Sequence, residues 1–206
     1  MRNSLGRLAA VVLALALAGC VAGQSLETTY EAPATGEAIP AATGVAVGVS
    51  VTDDRPYVKS GDKPPYYLGK YRAGFGNPWD VTTDNEEPLA DIVHRDLAED
   101  LAAMGFTVTD EGTAERRLDV SIRDWNFDGY QNGKLWYDLL VTVRTSDDTV
   151  LASSVVSDKI GITGSFWEGA KGGFEREMPK IYPQIIRKIA RDNDPVNAAL
   201  QKSGTD

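Results

Sequence analysis

The feature that most constrains this chain is its opening, an apolar run from Leu8 to Ala18 that starts behind Arg2 and Arg7 and stops at Gly19 and the only cysteine, Cys20. The run is too short to span a bilayer, which takes about 20 apolar residues. A basic start, an apolar middle and small residues at the end are the three parts of an export signal. Residues 1–19 are therefore predicted to be removed and to take no part in the fold. An ordinary signal cut nearby, with Cys20 incidental, is the alternative.

Removing that segment leaves 187 residues, enough for one domain with a sizeable core. The whole chain holds 21 Lys+Arg and 30 Asp+Glu, and loss of Arg2 and Arg7 leaves 19 basic residues and a formal charge of −11. Such a domain repels phosphate backbones, so nucleic acid is not expected as a partner. Residues 20–43 are rich in Ala, Gly, Thr, Pro, Ser and Glu, too polar to offset their ordering entropy. They are predicted to form a flexible tether reaching about 25 Å in root-mean-square terms. The folded domain is expected over 44–202.

The quartet Leu17, Ala18, Gly19 and Cys20 resembles the lipobox of bacterial lipoproteins. The resemblance implies cleavage before Cys20, diacylglycerol on its sulfur in thioether linkage and usually an acyl chain on the new amino terminus. It implies attachment to a membrane through this lipid anchor, stable because several chains insert together. Val21 stands where an aspartate marks retention in the inner membrane of Gram-negative bacteria, which implies the periplasmic side of the outer membrane. With Cys20 acylated, no thiol remains for a disulfide or a cysteine-based metal site.

Along the domain, Val45, Val47, Val49 and Val51 alternate with smaller residues up to Asp53-Asp54-Arg55-Pro56, the period of a strand buried on one face. Residues 53–86 follow with no sustained period and many Gly and Pro breakers, a long loop insertion of a kind compact domains seldom carry without a reason. Leu89, Ile92, Val93, Leu97, Leu101 and Met104 make a helical stripe between Pro88 and Gly105. The spacing places Asp91, Arg95, Glu99 and Asp100 away from it. A short strand, Phe106 to Thr109, returns from the helix. Arg116–Phe127, Lys134–Thr145 and Val150 to about Ile162 read as a meander of three strands. Leu118, Val120 and Ile122 have opposite parity to Trp125 and Phe127, so a bulge near Arg123-Asp124 is predicted to bring both sets to one face. Gly164 to Gly173 reads as a glycine-rich loop, and a last helix runs from about Phe174 to Arg191 with a kink or restart at Pro183. Asp194-Pro195 can cap one further turn.

This order predicts an α+β fold: a mostly antiparallel sheet of about five strands, two amphipathic helices packed on one face, and the long insertion after the first strand. The lipobox, the Val-x-Val strand ending at Asp53-Asp54-Arg55, the helix ending in Gly105-Phe106-Thr107-Val108 and the strand Leu118 to Ile122 together resemble the YajG-type small envelope lipoproteins. The layout is also similar to the amino-terminal domain of TolB and to lipoproteins that assist peptidoglycan synthases. The resemblance implies a non-enzymatic accessory role and leaves the insertion unaccounted for.

The insertion carries Arg55, Lys59, Lys63, Lys70 and Arg72 among Tyr57, Tyr66, Tyr67, Tyr71, Phe75 and Trp79. Tyrosine, tryptophan and arginine carry interface energy, so one reading is a binding loop for an envelope protein or peptidoglycan, centred on Arg55, Tyr57, Tyr66, Tyr67, Lys70, Arg72 and Trp79. The other is a loop that buries its aromatics to cover the sheet. Phe166 and Trp167 in the second loop offer a further contact patch or a hydrophobic plug. Asp53 and Asp54 are neighbours on an extended chain and point to opposite faces, which suits turn capping rather than paired acid/base work. The single His94 reads as a boundary residue on the helix, without a nucleophile elbow to serve. A metal and a cofactor are not expected, since neither a multi-histidine set nor a phosphate cradle is present. Taken together, the chain reads as a non-catalytic binding or assembly factor, with a small peptidoglycan hydrolase or a small-ligand carrier as alternatives.

Overall fold

The structure, a computed structural model, describes residues 24–26, 42, 44–72, 78–164 and 169–201. Cys20, Phe166 and Trp167, most of the expected tether and Phe75 lie outside the described residues.

The fold is built on one long strand, β6 (Arg116–Gly129). On one side β7 (Gly133–Thr145) pairs with it antiparallel along its whole length, and β8 (Val150–Ile162) continues the meander beyond β7. The other side is shared. β2 (Ala46–Asp53) runs parallel to its first half, from Arg116 to Ile122, and β3 (Tyr67–Arg72) runs parallel to its last residues, Phe127 to Gly129. β4 (Pro78–Thr83) folds back antiparallel on β3, and β1 (Gln24–Leu26) lies parallel on β4. β5 (Thr107–Thr109) closes the opposite end, parallel to β2.

The sheet is thus eight-stranded and mixed, where a mostly antiparallel sheet of about five strands was expected. Two causes account for the difference. The connection from β2 through helix α2 (Leu89–Met104) to β5 is a strand–helix–strand crossover, which returns the chain parallel to itself. The insertion, expected as a bare loop, contributes a one-turn helix α1 (Pro56–Lys59), then β3 and β4. The class remains α+β.

The core lies between one face of the sheet and three helices: α2, α3 (Gly169–Ile189) and α4 (Asp194–Gln201). Leu118, Val120 and Ile122 are buried together with Trp125 and Phe127. A register shift between Ile122 and Asp124 supplies the bulge that restores their common face. α2 ends as its sequence dictates, at Gly105 with φ 102°, a left-handed cap that glycine adopts without penalty. Asp100, expected away from the apolar stripe, is fully buried and accepts from Arg191 at 3.1 Å. Gly169 to Gly173, expected as loop, form the start of α3, which passes through Pro179 and Pro183 as one helix. α4 makes two turns rather than one.

Candidate functional site

Between β2 and β3, among the described residues, the edge of β6 carries no strand partner from Arg123 to Asn126. The start of the insertion fills this gap. As the chain leaves β2, the Asp54 N–H donates to the Ile122 carbonyl at 2.9 Å. Two residues after the turn, the Tyr57 hydroxyl donates to the Trp125 carbonyl at 2.7 Å. Arg55 lies between them with its side chain 0% exposed.

Its guanidinium makes four hydrogen bonds. Nε and Nη2 donate to the two oxygens of Asp53 at 2.8 and 2.6 Å, Nη2 donates also to the Pro65 carbonyl at 2.8 Å, and Nη1 donates to the Tyr67 carbonyl at 2.5 Å. Burial acts to lower the Arg55 pKa, but Asp53 and Tyr57 together outweigh it and the net direction is upward. A planar fork with five donors can satisfy several acceptors at once, and here it ties the end of β2 to the start of β3. Arg55 is therefore a buried clamp and presents nothing to a partner.

Tyr57 and Tyr67 meet edge to face, ring centroids 5.7 Å apart. Tyr67 is buried and Tyr57 half-buried, and burial pushes both phenols up to about 12. Lys63 sits over the Tyr67 ring at 4.6 Å and pairs with Asp80. Tyr67 thus belongs to the cover of the sheet, as Arg55 does. Gly69 pins the hairpin to β6: its φ is 149°, and a Cβ there would stand 2.2 Å from the Phe127 carbonyl oxygen.

Toward the end of the β3–β4 hairpin where Arg72 pairs with Pro78 the side chains become accessible. Tyr71 and Trp79 are cross-strand partners, and both are half-buried. Arg72 and Lys70 reach the same carboxylate, Asp128, at 2.9 and 3.9 Å. Tyr66 is also half-buried, at the base of the hairpin. Of the residues singled out in the insertion, the structure brings Lys70, Arg72 and Trp79 to one end of a rigid hairpin, and it places Arg55 and Tyr67 in the interior.

The two carboxylates that could carry chemistry are held by bonds within the fold. Asp53 is held by Arg55 as described. Asp54 accepts from Ser121 Oγ at 2.6 Å and from Lys59 at 2.9 Å, and these bonds, Ser121 first, lower its pKa. The two carboxylates face different neighbours and do not converge. His94 is exposed on α2, beside a surface groove lined by Val49, Val108, Thr109, Asp110 and Glu111. Among the described residues no group of three or more His, Cys, Asp or Glu side chains could hold a metal ion, and no helix is long and apolar enough to cross a membrane.

Two features escaped the sequence reading. Among the described residues no helix covers the sheet face opposite the three helices, and that face carries paired charges, Arg123 with Asp138 and Arg144 with Asp119. On it Trp136 donates to Asp124 at 2.9 Å and lies under Lys159, while Val155 is 53% exposed. The alternation in β7 marks Trp136 as facing away from Leu135 and Tyr137, which was the available signal. Second, the Tyr182 hydroxyl donates to Asp96 at 2.8 Å inside the core, joining α3 to α2.

No protein-family model and no curated protein matches this sequence. Solved structures do. A Xanthomonas campestris protein of the DUF330 family is similar over 87% of this chain and 100% of its own, at 12% identity and a TM-score of 0.55. A PelC dodecamer from Paraburkholderia phytofirmans matches over 89% of this chain and 96% of its own at 12% identity, TM-score 0.43. A minor lipoprotein of Acinetobacter baumannii matches over 70% and 89% at 8% identity, TM-score 0.37. The first of these shares the fold.

Proposed function

We propose that this chain is an exported lipoprotein, anchored through Cys20 on the periplasmic side of the outer membrane. It acts there as a non-catalytic binding or assembly factor for an envelope protein complex or for peptidoglycan. The export signal and the Leu17–Cys20 quartet support the address. The observation that carries the role is the division of labour among polar groups. Asp53, Asp54, Asp96 and Asp124 are consumed by bonds within the fold, whereas Tyr66, Trp79 and Trp136 remain partly accessible on rigid strands or at their ends. Rigid, half-exposed aromatics beside arginine and lysine are the composition of a contact surface.

Crosslinking in intact cells from a photoreactive residue at Tyr66 or Trp136, followed by mass spectrometry, tests the role. One dominant protein or a peptidoglycan adduct supports it. Self-adducts alone, from a correctly anchored protein, count against it.

A further inference from the structure

The margins of the sheet differ in length. β1 and β5 are 3 residues each, and an edge that short gives another chain little to pair with. β8 is 13 residues long, and among the described residues no strand pairs with it besides β7. From Ala152 to Ile162 its ladder with β7 runs without a register shift, since the one irregularity falls between Val143 and Arg144. Proline, a bulge within the ladder or a short length commonly protects such an edge, and this stretch has none of the three.

The helix layer thins toward this edge. On β7 the inward residues Leu135, Tyr137, Leu139, Val141 and Val143 are buried, whereas on β8 Ala152, Ser154 and Ile160 are only half-buried. Three of the five exposed large hydrophobic side chains among the described residues lie on β8: Val150, Leu151 and Val155. An unpaired row of backbone N–H and C=O groups beside exposed apolar side chains is the surface that takes an added strand. The chain carries a formal charge of −9, so two copies repel one another over most approaches. β8 is an exception, because Asp158 and Lys159, its only charged residues, cancel.

We infer that β8 pairs antiparallel with β8 of a second copy, about a two-fold axis at Val155. A two-fold interface brings the same patch together from both copies, so this strand must complement itself. With the axis there, the Val155 side chain, 53% exposed, meets its own counterpart, and β-branched cross-strand pairs are favourable. Ser153 then stands opposite Ser157, Ala152 opposite Asp158 and Leu151 opposite Lys159, so no charge faces a like charge. Residues 150–160 overlap their counterparts, and an antiparallel ladder of that length makes about ten backbone hydrogen bonds, as many as a typical protein interface carries. The two sheets become continuous, and their helix-free faces, each with its Trp136, turn the same way. The inference stands apart from the acylation of Cys20 and from the identity of any other partner.

Disulfide trapping in intact cells tests the pairing on the full-length chain. Val155→Cys, oxidised with copper phenanthroline, is expected to give a covalent dimer. Mass spectrometry locates the disulfide to the peptide that holds position 155, which distinguishes it from any link through Cys20. Ser153→Cys and Ser157→Cys are expected to form a mixed dimer when expressed together and far less dimer when each is expressed alone. Val108→Cys, on β5 and 36% exposed, supplies the background of random collision. Adding Val155→Lys to the Ser153→Cys and Ser157→Cys chains sets two ammonium groups at the axis and should reduce the mixed dimer to that background. Positions 153, 155 and 157 are all exposed, so these substitutions leave the core untouched. A Val155→Cys yield no higher than that of Val108→Cys overturns the pairing. So does more dimer from Ser153→Cys alone than from the mixture, or a dominant disulfide between Val155→Cys and a different protein.

Discussion

Arg55 and Asp53 form a two-bond ion pair at 2.8 and 2.6 Å at the point where the chain leaves its first long strand, with the Arg55 side chain 0% exposed. The same guanidinium holds the carbonyls of Pro65 and Tyr67, so one side chain fixes both ends of the segment that leads into the hairpin. A buried charge pair that loses one partner leaves the other uncompensated, which costs about 3–5 kcal/mol. Arg55→Ala is expected to lower stability by about that amount in urea unfolding. Arg55→Lys should recover only a minor part, because a single ammonium cannot replace the planar fork. Full rescue by lysine would show that charge alone matters at this position.

Gly69 supports the same junction from the other side. Its φ of 149°, and the 2.2 Å that would separate an added Cβ from the Phe127 carbonyl oxygen, leave no room for a side chain. Gly69→Ala should cost at least about 1–3 kcal/mol, through backbone strain and loss of the β3–β6 pairing. Amide hydrogen exchange at Lys70 and Tyr71 should accelerate in the variant, whereas exchange in β7 should not.

The tyrosines at the junction give the fold an alkaline limit. Tyr57 and Tyr67 are pushed up to about 12 from an ordinary 10.0 by burial. A phenol whose folded pKa is raised favours the fold below its unfolded pKa, and that contribution is lost as pH rises through the folded value. Stability should therefore decline between about pH 10 and pH 12. Absorbance titration at alkaline pH should show a late-ionising set that includes these two, and Tyr57→Phe should remove one member. A single transition near the ordinary value in the folded protein would contradict the burial described.

Asp96 sets a slope at the acid end. Burial raises its pKa above 3.8, against the Tyr182 hydrogen bond and the nearby Arg95, which act to lower it. The folded state therefore holds this proton more tightly than the unfolded chain, so its stabilising effect is present below 3.8 and is lost as pH rises through the raised value. Asp96→Asn keeps an acceptor for Tyr182 without the charge. Unfolding free energies at about pH 4 and about pH 6.5 should show the wild-type protein losing stability relative to the variant as pH rises. An unchanged difference would place the carboxylate in contact with water.

Much of the core was legible because its signals are local. The stripe of α2 and its stop at Gly105 follow from spacing and from the conformational freedom of glycine. The bulge in β6 follows from the parity of Ile122 and Trp125. What could not be read depends on partners distant in sequence. β3 is six residues long and contains Gly69, so its own period is weak, and it forms because the edge of β6 beyond β2 is open to it. β1 is three residues of an otherwise polar stretch, selected by the edge of β4. Arg55 reads as a surface residue by type, and only its position two residues after Asp53 at a strand end hinted at a clamp. The accessible aromatics were found by composition, but composition could not separate Tyr67, which covers the sheet, from Trp79, which lies toward the Arg72–Pro78 end of the hairpin.

The proposed address depends on the chemical state of Cys20. The decisive measurement is the mass of the amino-terminal peptide of the protein purified from the membrane fraction. The expected result is a chain that begins at Cys20 and carries diacylglycerol on sulfur together with an acylated amino terminus, lost from membranes in Cys20→Ser. A mature chain that begins elsewhere, or an unmodified Cys20 thiol, would contradict it.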